Sequence, residues 1–263
     1  MSKLRLRELW DSGQPTYGGW LTLPGSVSAE IMGRAGWDWC CIDTQHGLIG
    51  YDAMVPMLQA LSAAGCPPVV RVEWNDPATI MKTLDAGAEG VIVPMVNSVE
   101  EARAAVAACR YAPEGSRSWG PMRARMLNPE YSVESGRDPI CAVMIETVDA
   151  IGSLEQILDH VAGLDTVFVG PNDLAVSMGV RGSSYAGENP EHRAAMERIG
   201  ELCQTRGITA GIMCGSPEVA EQWRRKGFRM LAVGNDAVLL AGAASAAARR
   251  SRELRAEETR AGR

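Results

Sequence analysis

Eight short apolar runs, each followed by a helix-like segment, recur along this chain. They cover residues 20–23, 39–43, 69–72, 90–94, 140–145, 166–170, 208–213 and 230–233. Short apolar runs bounded by turn residues are typical of buried strands, and strands that alternate with helices form parallel β–α–β units. Eight such units within 263 residues favour a closed (β/α)8 TIM barrel over an open sheet. We therefore expect a single α/β domain over residues 1–263.

Three further segments lie outside the eight repeating units. Amphipathic spacing predicts a helix over about residues 3–12, which could plug the base of a barrel, and an Ala-rich stretch predicts a C-terminal helix over about 236–255. Between them, residues 111–138 combine Gly and Pro with aromatic and arginine side chains. Because long irregular loops in compact domains are usually functional or disordered, we expect this segment to cover a site.

The charge and cysteine content exclude some classes of partner. A net charge of −6 argues against nucleic acid or an anionic membrane as the main partner. The seven cysteines are scattered without a CxxC motif, which favours reduced thiols in the cytoplasm. No apolar run approaches the roughly 18 residues that span a bilayer, and we expect no signal peptide at the N-terminus.

Polar and titratable residues follow several of the predicted strands. His46 comes directly after the 39–43 run, and Arg71 lies within the 69–72 run. Active sites of barrels lie at the carboxyl ends of the strands. His46 could serve as a group that titrates near neutrality, or could simply cap the strand end. Arg71 could bind a carboxylate in bidentate fashion, or could form an ion pair with Glu73.

Two carboxylates follow neighbouring strands. Glu146 ends the 140–145 strand, and Asp173 follows the 166–170 strand after a short turn. Neighbouring carboxylates repel unless one is protonated or a cation lies between them. Two hard oxygen ligands suit Mg²⁺ or Mn²⁺, which complete their coordination with water and substrate. The alternatives are a helix N-cap for Asp173 and a solvated loop residue for Glu146.

Several motifs together resemble the HpcH/HpaI family of metal-dependent (class II) pyruvate aldolases, which have the phosphoenolpyruvate/pyruvate-binding type of barrel. The resemblance extends from about Gly19 to Asn235, and the motifs occur in the family's order. They are Asp43-Thr44-Gln45-His46-Gly47, Arg71, Leu84-Asp85-Ala86-Gly87-Ala88, Val93-Pro94-Met95-Val96, Ile145-Glu146-Thr147 and Gly170-Pro171-Asn172-Asp173-Leu174.

The resemblance implies a role for each matching residue. Glu146 and Asp173 match the metal ligands, for Mg²⁺, Mn²⁺ or Co²⁺. Arg71 matches the residue that holds the pyruvyl group and stabilises its enolate. His46 matches the general base, which acts through a metal-bound water, and Asp85 matches its acidic partner. Trp20 matches the aromatic residue that lines the pocket. The turn that binds the substrate carboxylate is matched by Gly170, Pro171 and Asn172.

The implied reaction is cleavage of a 4-hydroxy-2-oxo acid to pyruvate and an aldehyde, reversibly, in aromatic or sugar-acid catabolism. The resemblance also implies a homo-oligomer, a hexamer or trimer of dimers, with the C-terminal helix exchanged between neighbours. After Lys3 only Lys82 and Lys226 occur, both in predicted helices, which argues against a Schiff-base aldolase. A decarboxylase of oxaloacetate-like acids, another oxo-acid C–C lyase and a non-catalytic oxo-acid-binding barrel are the alternatives.

Two positions depart from the family's pattern. Gln45 stands where many members have an acid before the histidine, and Met144 stands where many have a glutamine that touches the pyruvyl group. Because a buried polar contact strongly determines which substrate is accepted, the resemblance does not specify the exact substrate of a chain with Met144 at this position.

Overall fold

The computed structural model describes residues 3–136 and 138–261. Eight strands pair in parallel and in chain order, and β8 returns to pair with β1, so the predicted (β/α)8 barrel is confirmed. The strands are β1 Thr16–Leu21, β2 Trp39–Asp43, β3 Pro68–Arg71, β4 Gly90–Val93, β5 Ile140–Ile145, β6 Thr166–Val169, β7 Thr209–Met213 and β8 Met230–Asn235.

Helices alternate with these strands. They are α1 Lys3–Asp11, α2 Ser26–Arg34, α3 Tyr51–Ala63, α4 Pro77–Asp85, α5 Val99–Cys109, α6 Met122–Leu127, α7 Val133–Gly136, α8 Val148–His160, α9 Pro171–Ser177, α10 Pro190–Thr205, α11 Pro217–Arg225 and α12 Asp236–Ala261. Side chains cap two of these helices: before α4, Asp76 accepts a hydrogen bond from the backbone N–H of Thr79 at 2.7 Å, and before α5, Ser98 accepts one from the backbone N–H of Glu101 at 3.1 Å.

Strand β1 begins four residues before the predicted start at Trp20. Gly18 and Gly19 resemble a turn in the sequence, but both are paired within the strand. A Cβ at Gly18 would overlap the Trp39 ring, and one at Gly19 would lie 2.9 Å from the Trp37 ring. The two glycines are therefore explained by close packing of large neighbouring side chains rather than by a turn.

The barrel interior is filled by side chains, and α1 closes one end of it. Leu6 and Trp10 are buried against the inward-facing residues of the strands. Trp10 also donates a hydrogen bond to Thr16 Oγ1 at 2.9 Å, at the first residue of β1. Since α1 covers the amino ends of the strands, the carboxyl ends remain available for a site.

The segment 111–138 connects α5 to β5. Helices in a (β/α)8 barrel run from the carboxyl ends of the strands back to the amino ends, so this connection begins and ends at the amino-end face. Arg117 forms an ion pair with Asp85 at 2.6 Å, and Arg123 donates to the carbonyl of Ala86 at 2.9 Å, at the C-terminal end of α4. None of the described residues of this segment lines the cavity at the carboxyl ends of the strands, so within one chain the segment does not cover that cavity.

Helix α12 continues past the predicted end at about residue 255 to Ala261. Its first turns expose Val238, Leu239 and Leu240 to solvent. Within the described part of the chain, no helix combines the length and apolar character that crossing a membrane requires.

Candidate active site

A cavity of about 330 Å³ lies at the carboxyl ends of the strands. Residues from several different strand ends and the segments that follow them line it, as in other barrels. Seven of the residues singled out in the sequence meet in this lining: Trp20, His46, Arg71, Gly170, Pro171, Asn172 and Asp173. The alternation of strands and helices thus brings together residues that are up to 153 positions apart in the sequence.

Asp43 fixes the position of Arg71. The two residues are register partners at the ends of β2 and β3, and Asp43 accepts hydrogen bonds from Nε of Arg71 at 2.9 Å and from Nη2 at 2.5 Å. Arg71 therefore forms its ion pair with Asp43 and not with Glu73, the predicted alternative partner. Burial alone would raise the pKa of Asp43, but the hydrogen bonds and charge of Arg71 hold that pKa below its ordinary value.

Asp43 also organises the turn that carries His46. Its Oδ1 accepts hydrogen bonds from the backbone N–H groups of Gln45 and His46, both at 3.1 Å, and its Oδ2 accepts one from Trp20 Nε1 at 3.1 Å. The guanidinium carbon of Arg71 lies 5.1 Å from the centre of the Trp20 ring. One buried carboxylate therefore holds the side chains of Trp20 and Arg71 and the backbone of His46, three residues that were predicted to belong to the site.

Glu146 is a buried acid beside the cavity, with 1% of its surface exposed. Its Oε1 accepts a hydrogen bond from the backbone N–H of Met95 at 2.8 Å. Met95 adopts a left-handed conformation (φ 55°), which is uncommon for a residue other than glycine. A Cβ at Gly170 would overlap Oε2 of Glu146, so the space for this carboxylate depends on glycine at that position.

The electrostatic environment of Glu146 disfavours its ionised form. Burial raises its pKa to about 7; the Met95 hydrogen bond opposes this shift, and the negative charge of Asp173 adds to it. Asp173 lies in the first turn of α9, where it lines the cavity and is exposed. The N-cap of that helix is Gly170, so the alternative role of Asp173 as a cap is wrong.

This pair of carboxylates fits a divalent cation. A buried carboxylate close to another acid is costly unless a cation compensates it. Among residues 3–136 and 138–261, no cluster of three or more His, Cys, Asp or Glu side chains could form a complete protein cage for a metal. Mg²⁺ and Mn²⁺ do not need such a cage, because they commonly retain waters and take oxygen ligands from the substrate.

His46 and Asp85 lie at opposite ends of the barrel wall. His46 follows β2 and is exposed at the cavity, whereas Asp85 is the last residue of α4, a helix of nine residues that is about 13 Å long. Asp85 is paired with Arg117 at 2.6 Å. The predicted pairing of Asp85 with His46 therefore does not form within one chain, because α4 carries Asp85 to the amino-end face.

The cavity lining also contains residues that were not singled out in the sequence, among them Tyr185 and Met213. Tyr185 comes from the Gly/Ser-rich segment between α9 and α10, and Met213 ends β7. The aromatic residue within an otherwise small and polar loop after β6 is the signal that could have identified Tyr185. Met144, by contrast, was noted as a departure from a family pattern, and it does line the cavity as a buried apolar side chain.

Comparisons with known proteins agree with this arrangement. The family model described as HpcH/HpaI aldolase/citrate lyase matches residues 17–243. A hydroxypyruvate/pyruvate aldolase from Rhizorhabdus wittichii is 38% identical over 91% of this chain and 95% of its own length. A 4-hydroxy-2-oxo-heptane-1,7-dioate aldolase from Escherichia coli is 40% identical over 91% of each chain. The crystal structure of an HpcH/HpaI aldolase/citrate lyase family protein from Burkholderia cenocepacia has a TM-score of 0.88 at 30% identity, covering 94% of this chain and 99% of its own.

Proposed function

This chain belongs to the HpcH/HpaI aldolase/citrate lyase family, and we propose that it is a divalent-metal-dependent aldolase. It would cleave a 4-hydroxy-2-oxo acid to pyruvate and an aldehyde, and would join the two in the reverse direction. The observation that carries this proposal is that Arg71 and Asp173 line one strand-end cavity and that Glu146 is buried beside it, against Gly170. One fixed cation and two carboxylates are the groups needed to hold a 2-oxo acid and stabilise its enolate.

Glu146 and Asp173 would hold the metal, with Mg²⁺ or Mn²⁺ as the best fit to two oxygen ligands. When bound, such a cation withdraws electron density from the ketone and lowers the energy of the enolate. The turn at Gly170–Asn172 leads into α9, and its backbone is proposed to bind the substrate carboxylate.

Arg71 would stabilise the negative charge that develops on the enolate oxygen. Its Nε and Nη2 are bound by Asp43, which fixes the guanidinium before substrate arrives. A donor that is already in place costs no reorganisation during the reaction, and this is the main source of such stabilisation. Asp43 thus acts as a positioning residue for Arg71.

His46 would accept the proton of the substrate's 4-hydroxyl group as the C3–C4 bond breaks. Its side chain lines the cavity, and its backbone is held by Asp43. An imidazole is suited to this step because its unprotonated ring nitrogen can accept a proton. The bond electrons pass to C3, giving the pyruvate enolate, which is then protonated to pyruvate.

Pyruvate release from a 4-hydroxy-2-oxo acid tests this proposal. The purified chain is assayed after treatment with EDTA and again after addition of Mg²⁺ or Mn²⁺. We expect activity to disappear with the chelator and to return with the metal. Full activity in excess EDTA would contradict the metal's role. Faster decarboxylation of oxaloacetate than aldol cleavage in the same preparation would favour a decarboxylase instead.

We also propose a cellular compartment and an oligomeric state for this enzyme. We place it in the cytoplasm, because all seven cysteines are free and buried. We also propose a homo-oligomer, a hexamer or a trimer of dimers, since α12 exposes Leu239 and Leu240. Light scattering coupled to gel filtration measures its mass; a monomer at micromolar concentration would contradict this part.

A further inference from the structure

The described lining of the active-site cavity contains polar groups but no free cation. Among the described lining residues, Arg71 and His46 are the only side chains that carry or can take up positive charge. Arg71 is already held by Asp43 in two hydrogen bonds. The other charged groups at or beside the cavity, Asp43, Asp173 and Glu146, are acids.

A negatively charged aldehyde is therefore poorly matched to this cavity. Once pyruvate and a metal occupy Arg71, Glu146 and Asp173, and because His46 must be unprotonated to act as the base, a second carboxylate on the aldehyde would find no cation among the described lining residues. It would lose hydration without gaining a counter-ion, and it would lie in a cavity that contains several acids. Unfavourable charge of this kind is one of the two ways in which a site discriminates between substrates.

The same region presents neutral hydrogen-bonding groups. The amide of Asn172 donates to the hydroxyl oxygen of Tyr185 at 3.3 Å, which leaves the Tyr185 O–H free to donate to a ligand. Thr22 donates its own hydroxyl hydrogen to Asp236 at 2.8 Å, so its oxygen can accept. Both a donor and an acceptor for an alcohol group thus line this part of the cavity.

Tyr185 is held in place by its loop. Its carbonyl accepts a hydrogen bond from Trp223 Nε1 at 2.7 Å, and its ring packs so closely on Gly215 that a Cβ there would lie 2.7 Å away. Two positions before it, Ser183 is hydrogen-bonded to the buried His192 at 2.8 Å. A side chain anchored from both α10 and α11 loses little conformational entropy when it binds a ligand.

We infer that this cavity selects neutral, hydroxyl-bearing aldehydes over carboxylate-bearing ones, and that Tyr185, supported by Asn172, binds the aldehyde's hydroxyl group. The inference rests on the proposed aldolase function and specifies its substrate class. Apolar neighbours such as Met144, Phe168 and Met213 line the same cavity and accommodate the carbon chain.

Two pairs of aldehydes of matched length test the inference with the metal-loaded enzyme and pyruvate. Glyceraldehyde and propanal differ in hydroxyl groups, and succinate semialdehyde and butanal differ in a carboxylate. We expect kcat/KM for glyceraldehyde to exceed that for propanal several-fold. We expect succinate semialdehyde to be used less well than butanal; equal or better use of the charged aldehyde would overturn the inference.

Tyr185→Phe tests the residue assignment, because it removes the hydroxyl group and keeps the ring. We expect kcat/KM for glyceraldehyde to fall about 3- to 10-fold, the usual effect of one lost hydrogen bond, with the loss mainly in KM. The value for propanal should stay within about twofold. Equal losses with both aldehydes would overturn the role of Tyr185.

A cation placed at the cavity gives the complementary test. Val238 lines the cavity and is 65% exposed, so Val238→Lys adds a positive charge there without burying it. We expect the ratio of kcat/KM for succinate semialdehyde to that for butanal to rise about 2- to 5-fold, the usual strength of an exposed ion pair. The control is Val27→Lys on α2, which is 69% exposed and is not among the lining residues.

An unchanged ratio in Val238→Lys would contradict the argument from charge. If the wild type condenses pyruvate with none of the four aldehydes in the presence of metal, the proposed function fails and the inference fails with it. If it condenses all of them but prefers succinate semialdehyde, only the inference fails.

Discussion

The protonation of Glu146 should make the metal-free protein less stable as the pH rises. Its pKa is raised by burial from the ordinary 4.5 to about 7. Between these two values the folded state binds more protons than the unfolded state, so stability falls with increasing pH. A pKa difference of one unit corresponds to about 1.4 kcal/mol, so the full loss in the free energy of unfolding amounts to about 3 kcal/mol. This loss of stability is absent below pH about 4.5 and nearly complete above pH about 7.

Urea unfolding in EDTA at several pH values from 4.5 to 8 measures this effect. Glu146→Gln keeps the size of the side chain and removes the titration, so its stability should decline less over the same window. The difference between wild type and variant isolates the contribution of Glu146 from that of other groups. Parallel pH profiles for the two proteins would refute the argument that burial holds this carboxyl in its protonated form.

Three further substitutions follow from the site. Arg71→Ala should lower transition-state stabilisation by about 3 kcal/mol, as when an oxyanion donor is removed; a near-wild-type kcat/KM would mean that the pyruvyl site lies elsewhere. Asp43→Asn should reduce the free energy of unfolding by about 3 kcal/mol, because Arg71, 8% exposed, loses its counter-ion; urea unfolding measures this, and an unchanged midpoint would contradict it. His46→Ala should slow aldol cleavage more than exchange of pyruvate methyl protons, and equal losses in the two assays would argue against its role as base.

The fold was predictable because its pattern is repetitive and local. Each apolar run followed by a capped helix, such as the one begun by Asp76, specifies one β–α unit, and eight units close a barrel. The position of Arg71 and Glu146 at the carboxyl ends of their strands follows from this pattern alone. Gly18 and Gly19 misled the prediction of β1, because packing against Trp39 and Trp37 depends on contacts between strands.

The details of the site were less predictable because they depend on which end of an element a residue occupies. Asp85 matches a motif, but the direction of α4 places it on the amino-end face beside Arg117. Asp43 was noted only as part of a motif, although its register with Arg71 makes it the centre of the hydrogen-bond network. Tyr185 lies in a loop with no periodic pattern, and only the folded chain brings it to the cavity.

Exchange of the pyruvate methyl protons in D2O, followed by NMR, tests the central claim most directly, because it reports formation of the enolate without any aldehyde. We expect the enzyme to catalyse this exchange with Mg²⁺ or Mn²⁺, and EDTA, Glu146→Ala or Asp173→Ala to abolish it. Exchange no faster than in the buffer with metal alone would contradict the claim that Arg71, Glu146 and Asp173 form one enolate-stabilising site.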